Sequence, residues 1–460
     1  MSTEEIKKNR KRALKTSFEY FLSDSLDIAQ KHDVENPLKE KEETIFLFRN
    51  HLYDDEEIVF KKNFLEFFSR SKIVKAIRTI EFFPDIIELI AAHKLIKELF
   101  PGKTGGEEQL IFQFLINYTE EINGFEFNRG KFNSLFLDFW NFLSQKNLEI
   151  PYFTPLFQIE SKIPKKKFDN ITLERITPVQ FKIIKESFVG KELATPSFLY
   201  NLGYVLYTSV SHKNNSIKEN FLAESNFNNF INCGLIFSRG NLMIGPLYRN
   251  YTNWTRFSST YTHTSGINLD SRNYKFTKTS SENLEDFYNS FRQLNLNVKG
   301  WKFIQIAIDR FSSSIQRRNS IDKIIDLYVA LESLFSTPGE NSSLKIAFRT
   351  AVLLATKDEE KEDYWKFVQE QSKIRNSILH GRQSAEDVKP DNLIKFEDLI
   401  RQSIRKFLNI SKNFSDSKLI QNEKSEKSDP RGKILDELDM GLINPTRFQD
   451  FSKITTGIFD

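Results

Sequence analysis

The strongest structural signal in this chain is the stretch IDKIIDLYVALESLF at residues 321–335. Apolar side chains recur in it every three or four residues, at Ile321, Ile324, Ile325, Tyr328, Leu331 and Phe335. Residues with that spacing line one side of an α-helix. The stretch therefore predicts a helix that is buried along one face.

Four further segments around this stretch have the same helical spacing. One precedes it, at 301–315, and three follow it, at 344–355, 364–380 and 393–408. Only short breaks separate the five segments. Five helices with short connections predict an up-down helical bundle over residues 299–412.

The rest of the chain divides by pattern and composition. Residues 1–150 have mostly helical spacing, whereas strand-like alternation appears at 153–159 and 168–176, and the stretches 204–210 and 235–247 are β-rich. After residue 412 the composition turns to Ser, Lys, Asp and Glu, which indicates a linker at 418–433 and a final segment that either docks as a short helix or stays mobile. The predicted fold class is mainly α with a mixed α/β middle region and a C-terminal up-down bundle. The predicted divisions are 1–150, 151–298, 299–412 and 413–460.

Composition excludes several classes of protein. With 39% hydrophobic and 28% charged residues, the chain of 460 residues is globular rather than disordered. A single cysteine, Cys233, excludes an internal disulfide framework and a Cys-based zinc cluster, and it fits a reducing compartment. The first residues lack the apolar core of a signal peptide, and no apolar run reaches the roughly 18–20 residues of a membrane helix. We therefore expect a cytoplasmic protein with no membrane contact.

Several kinds of catalytic motif are also missing from the sequence. None of the six histidines pairs with another at four-residue spacing, and none lies in a His-Glu-x-x-His arrangement. No Gly-x-Ser-x-Gly nucleophile motif occurs. The sequence therefore predicts neither a metal site nor a cofactor.

One segment, KIRNSILHGR at residues 373–382, combines chemically active side chains at the end of a predicted helix. Gly381 is the residue expected to stop that helix in the left-handed conformation. Asn376 and His380 are four residues apart and share a face, but Arg375 and His380 diverge by about 140° on an ideal helix. Either the helix end unwinds at Gly381 or a second copy of the segment completes the site.

These side chains suit transfer at a phosphodiester without a metal. His380 can move a proton near neutral pH, the Arg375 guanidinium fits a phosphate, and the Asn376 amide can orient either partner. The alternative is purely structural: a capped helix end on which Arg375 and His380 are solvated.

The segment resembles the Arg-x(4–6)-His motif of HEPN-domain ribonucleases, and the surrounding helices are similar to the ApeA-like branch of that superfamily. The resemblance spans about residues 299–412 and includes the sequence ALESLF at 330–335 and the segment 344–354. It implies a HEPN-type bundle and a homodimer, in which two motifs face each other and form one composite RNA-cleaving site.

The resemblance also implies a function. Arg375, Asn376 and His380 would cleave single-stranded or loop RNA through attack of the ribose 2′-hydroxyl, which leaves a 2′,3′-cyclic phosphate. Many relatives are toxins or abortive-infection effectors against phage, so a phage-derived trigger or a regulatory partner is implied for residues 1–298. The alternative is a non-catalytic HEPN module that binds a nucleotide or a protein.

Further residues could support such a site. Glu332 lies at the edge of a buried stripe and needs a partner, for which Arg349 and Arg375 are both candidates. Residues 299–412 contain 20 Lys and Arg against 16 Asp and Glu, an excess of +4 that suits transient RNA contact. The basic residues that could contact RNA are Lys373, Arg382, Arg317 and Arg318. Alternatively, Arg382 favours the helix C-terminus, and Arg317 and Arg318 are solvated loop residues.

Overall fold

The computed structural model confirms a mainly α-helical chain with a mixed α/β region in its middle. No helix in the described part of the chain combines the length and apolar character needed to cross a bilayer. The structure describes all residues except 1–2, 50–51, 100–104, 146, 148, 179, 182, 185–202, 212–215, 250–253, 255–259, 262–272, 298–299, 338–342, 383–387, 414–429 and 442–444.

The N-terminal region is helical, as predicted, but it also contains a hairpin that the pattern did not indicate. Strands β1 and β2 pair antiparallel between the first and second helices. A phenylalanine cluster holds the helices together: Phe18 of the first helix lies 4.7 Å from Phe114 and 5.4 Å from Phe139, measured between ring centroids. The elements are α1 Thr3–Glu35, β1 Glu40–Arg49, β2 Leu52–Lys62, α2 Phe64–Phe68, α3 Ser71–Arg78, α4 Phe82–Ala91, α5 Lys94–Leu99, α6 Gly106–Ile122 and α7 Arg129–Leu143.

The middle region contains an antiparallel sheet with strand order β10-β9-β3-β7-β6-β5, in which β8 also pairs with β3, and a separate parallel pair of β4 and β11. The strands predicted near 153–159, 168–176 and 204–210 are confirmed. The β-rich reading of 235–247 is wrong at its start, because residues up to Phe237 end a long helix. The elements are β3 Glu149–Phe157, β4 Ile159–Ser161, β5 Lys165–Phe168, β6 Ile171–Arg175, β7 Tyr204–Ser211, α8 Ser216–Phe237, β8 Met243–Ile244, β9 Leu247–Arg249, β10 Thr260–Tyr261, β11 Tyr274–Phe276 and α9 Lys278–Gln293.

All five helices predicted for the C-terminal bundle are present. Apolar residues at helical spacing are buried in each of them, which explains why the spacing located them, although the buried face of α13 also contains Gln371 and Ser372. Side-chain caps fix some of their ends: Asn319 accepts a hydrogen bond from the backbone N–H of Ile321 at the start of the second helix. The helices are α10 Lys302–Gln316, α11 Ser320–Phe335, α12 Ser343–Leu354, α13 Asp358–Leu379 and α14 Pro390–Asn413.

Helix α14 lies at the centre of this bundle. It runs antiparallel to α10, since Phe407 contacts Phe303 near the start of α10 and Arg401 lies over Phe311 further along. It runs parallel to α11, where Lys323 forms an ion pair with Glu397 near the two helix starts. These contacts therefore define the chain directions of α10 and α11 relative to α14.

The C-terminal segment docks on the bundle as two helices, α15 Pro430–Met440 and α16 Pro445–Ile454. The predicted linker falls mostly on residues 414–429, which lie outside the described residues. The Arg349 guanidinium of α12 makes two hydrogen bonds of 2.7 Å to Asp439 of α15. Of the two possibilities for this segment, the structure therefore shows the docked one.

Two arginines of α14 connect the bundle to the middle region. Arg401 donates to the carbonyl of Leu235, and Arg405 donates to those of Ile236 and Phe237. These are carbonyls of the last turn of α8, which have no partner within the helix itself. The side chains of one region therefore cap a helix of the other.

Candidate functional site

The motif segment forms the end of α13, and the backbone there adopts a Schellman turn. The N–H of Gly381 donates to the carbonyl of Ile378, and the N–H of Arg382 donates to that of Ser377 at 2.8 Å. Gly381 has a φ of +68°, the left-handed conformation predicted for the residue that stops this helix. His380 is the last residue before the turn, and its side chain is exposed.

Arg375 lies one turn earlier and faces α11. Its Nη2 is 3.6 Å from Oε1 of Glu332, its guanidinium carbon lies 5.4 Å from the ring centre of Tyr328, and its Nη1 donates to Oδ1 of Asn376 at 3.0 Å. Its Nε is buried and has no hydrogen-bond partner among the described residues. The ion pair and the aromatic ring hold this guanidinium in a fixed position.

Burial changes the acid–base properties of the residues around Arg375. The pKa of Glu332 is raised, because burial disfavours its charged form more than Arg375 favours it. The pKa of Tyr328 is also raised by burial, although a hydrogen bond with Ser372 opposes the shift. Glu332 therefore binds a proton more readily than an exposed glutamate does.

The structure selects one of the two predicted partners of Glu332. Arg349 does not form the Glu332–Arg349 pair that was one alternative; it pairs with Asp439 and donates to the carbonyl of Phe335. The ion pair of Glu332 is with Arg375. Arg349 is therefore a residue that holds α15 in place rather than a part of the motif cluster.

Arg375 and His380 are not brought together within one chain. The helix remains regular through Leu379, and the backbone N–H of His380 still donates to the carbonyl of Asn376. The His380 imidazole makes no hydrogen bond or ion pair within the described part of the chain. Unwinding therefore does not remove the divergence of about 140° between the two residues.

The predicted RNA-contacting residues separate into two groups. Lys373 and Arg382 are exposed near the end of α13. Arg317 and Arg318 line a cleft elsewhere in the bundle, whose lining includes neither Arg375 nor His380. The sequence reading missed Tyr328 and Ser372; the signal for Tyr328 was its position four residues before Glu332 on the same helix.

Comparison of the chain with known protein families, with characterised proteins and with solved structures finds no match. The resemblance to HEPN ribonucleases is therefore an expectation from the sequence of residues 299–412 alone. No cluster of three or more histidine, cysteine, aspartate or glutamate side chains suited to hold a metal ion occurs in the residues that the structure describes.

Proposed function

We propose that this chain is a metal-independent endoribonuclease of the HEPN type, with Arg375, Asn376 and His380 as its catalytic residues. The observation that carries the proposal is the positioning of Arg375: Glu332 and Tyr328 hold its guanidinium at the end of α13, where His380 is exposed. A cation held by an ion pair and a solvent-facing imidazole one turn further along the same helix are the two groups that a composite phosphodiester-cleaving site would need.

In the proposed mechanism, His380 takes part in proton transfer at the ribose 2′-hydroxyl. The 2′-oxygen attacks the adjacent phosphorus, the bond to the 5′-oxygen breaks, and that oxygen takes up a proton, which leaves a 2′,3′-cyclic phosphate and a 5′-hydroxyl. Arg375 stabilises the charge that develops on the phosphorane, and Asn376 orients the imidazole or a phosphate oxygen. In-line attack requires an unstacked backbone, so single-stranded or loop RNA is the substrate.

A homodimer would complete this site. Because Arg375 and His380 diverge on one helix, a two-fold axis past the end of α13 brings the guanidinium of one chain toward the imidazole of the other. Lys373 and Arg382 lie on the same exposed helix end and would contact flanking phosphates. Binding of RNA should therefore weaken as the salt concentration rises.

By the same resemblance, we propose that the ribonuclease acts in the cytoplasm as an abortive-infection toxin against phage. Residues 1–298 would then receive a phage-derived trigger or a regulatory partner. The contacts of Arg401 and Arg405 with the last turn of α8 supply a physical connection between that part of the chain and the bundle.

The direct test is incubation of the full-length protein with a single-stranded RNA in EDTA, followed by analysis of the RNA ends. We expect 2′,3′-cyclic phosphate ends from the wild type and none from His380→Ala. His32→Ala is the matched control, because His32 is a partly exposed histidine on α1. If His380→Ala cleaves at the wild-type rate while the protein stays folded, the assignment of the site is wrong.

The dimeric site has its own test. Mixing inactive Arg375→Ala with inactive His380→Ala should restore part of the activity, because a mixed dimer retains one intact Arg–His pair. A stable monomer that cleaves RNA at the full rate would contradict the composite site.

The second candidate is a non-catalytic HEPN module that binds a nucleotide or a protein. One observation favours it: Arg375 already contacts Glu332, Tyr328 and Asn376 within its own chain, as a structural arginine does. The two candidates differ in the RNA assay, since only the nuclease produces new RNA ends. In the binding module, Arg375→Ala would lower stability without changing any RNA.

A further inference from the structure

A cleft of about 320 Å³ lies where the middle region meets the bundle. Its basic side chains come from three places: Arg239 follows α8, Arg317 and Arg318 form the turn between α10 and α11, and Lys323 belongs to the first turn of α11. The volume is at the lower end of the range of small-molecule sites. This cleft is separate from the motif residues, and the inference does not depend on the proposed ribonuclease.

A buried carboxylate fixes the orientation of Arg317 in this cleft. Oδ2 of Asp326 accepts from Nε of Arg317 at 2.8 Å, and Oδ1 of the same carboxylate lies 3.1 Å from Nη1 of Arg310. The side chain of Asp326 is 5% exposed, whereas that of Arg317 is 48% exposed. Arg317 donates to Asp326 through Nε, and its two terminal nitrogens donate no hydrogen bond to any residue that the structure describes. They are available to an anion in the cleft.

The side chains that line the cleft carry an excess of positive charge. Its lining contains four cationic side chains and two carboxylates, Glu397 and Asp398, which leaves 4 − 2 = +2. Asp398 is shared between Arg239 and Arg401, while Glu397 pairs with Lys323. Because Asp326 below the cleft is likewise shared by two arginines, the buried carboxylates do not cancel this excess.

The backbone adds to the positive potential of the cleft. Ser320 and Pro390, the first residues of α11 and α14, both belong to its lining. The N-terminus of a helix has the positive end of the helix dipole. Two helix starts and an oriented guanidinium fork are features that suit phosphate oxygens, which accept several hydrogen bonds at once.

We infer that this cleft binds the diphosphate group of a small phosphorylated molecule. Such a ligand would contact Arg239 from the middle region together with Arg317 and Arg318 from the bundle. It would therefore bind across the boundary between the two regions, beside the ion pair that already joins Arg239 to Asp398.

The test is titration calorimetry of the full-length protein with inorganic pyrophosphate and, separately, with ADP, at physiological ionic strength. We expect saturable binding of one ligand per chain. Arg317→Gln and Arg239→Gln should each weaken it by about tenfold or more, as expected for the loss of a charge-assisted hydrogen bond. Arg317→Lys keeps the charge but loses the fork, so its affinity should be intermediate. Tighter binding of ADP than of pyrophosphate would identify a nucleotide as the source of the group.

These variants should remain folded, because each carboxylate keeps a second arginine: Asp326 retains Arg310, and Asp398 retains Arg401. Arg129→Gln is the matched control, since it removes an exposed arginine of α7 that lies outside the cleft. The inference is overturned if neither ligand binds at millimolar concentration, or if Arg317→Gln and Arg239→Gln bind as the wild type does. It is also overturned if these two variants lose only binding of an RNA oligonucleotide, which would make the cleft part of a nucleic-acid path.

Discussion

Removing Asp439 should destabilise the protein more than removing Arg349, although the two residues form one ion pair. The side chain of Arg349 is 4% exposed, whereas that of Asp439 is 40% exposed. Asp439→Ala leaves a charged guanidinium buried without its carboxylate, a change that costs about 3–5 kcal/mol. Arg349→Met removes the buried charge, lets Asp439 contact water, and leaves the carbonyl of Phe335 without this donor, which costs about 1–3 kcal/mol. We therefore expect Asp439→Ala to be the more damaging substitution.

The assay is hydrogen–deuterium exchange of the peptide that covers α15, Pro430–Met440, because exchange reports the free energy of local opening. Asp439→Ala should speed its exchange by about a hundredfold or more, and Arg349→Met by a smaller factor, since each 1.4 kcal/mol corresponds to about tenfold. The double variant should exchange at the rate of Arg349→Met, because it no longer contains a buried guanidinium without a carboxylate. Equal effects of the two single substitutions, or unchanged exchange in both, would refute the assignment of the buried charge to Arg349.

Three further predictions follow from the described geometry. Burial raises the pKa of Glu332, so the folded chain binds this proton more tightly than the unfolded chain. The free energy of unfolding should therefore fall as the pH rises through that pKa. Glu332→Gln should remove this fall, which urea titrations at several pH values would measure. Gly381→Ala should cost about 1–2 kcal/mol, measured by the urea midpoint, because a φ of +68° strains any residue with a Cβ; an unchanged midpoint would contradict this. Cys233 is buried and its pKa is raised, so a thiol reagent should label it only after unfolding, and rapid labelling of the native protein would contradict this.

The bundle was predictable because apolar residues recur at helical spacing in its helices. In α11 the buried positions fall at three- and four-residue spacing, so the sequence alone located a helix whose bounds are Ser320–Phe335. Local capping chemistry is equally regular: Thr177 and Gln180, three residues apart, form the two reciprocal hydrogen bonds of a capping box.

Other elements were missed where the pattern is mixed. In α8, Phe221 and Leu222 are exposed between buried positions, so its apolar residues do not all lie on one buried face. The start of α15 was missed because Pro430 lies within the predicted linker at 418–433, and the helix docks through the Arg349–Asp439 ion pair, a contact between residues far apart in the sequence. The hairpin of β1 and β2 lies in a region whose overall spacing is helical. Interactions over long sequence distances decide such elements, and a local pattern does not contain them.

The candidate site was readable only in part. The spacing of Arg375, Asn376 and His380 gave the divergence on the helix and the stop at Gly381. It did not decide between Arg349 and Arg375 as the partner of Glu332, because that choice depends on how α11, α12 and α13 pack. The buried Tyr328 next to the guanidinium was missed for the same reason.

The arginine caps on α8 limit how this molecule can move. Pulling the middle region away from α14 would expose the carbonyls of Leu235, Ile236 and Phe237, and each lost hydrogen bond to a guanidinium costs about 1.5–3 kcal/mol. A hinge motion that opens the boundary between the middle region and α14 therefore has a large free-energy cost. The middle region and the bundle should accordingly move together rather than apart.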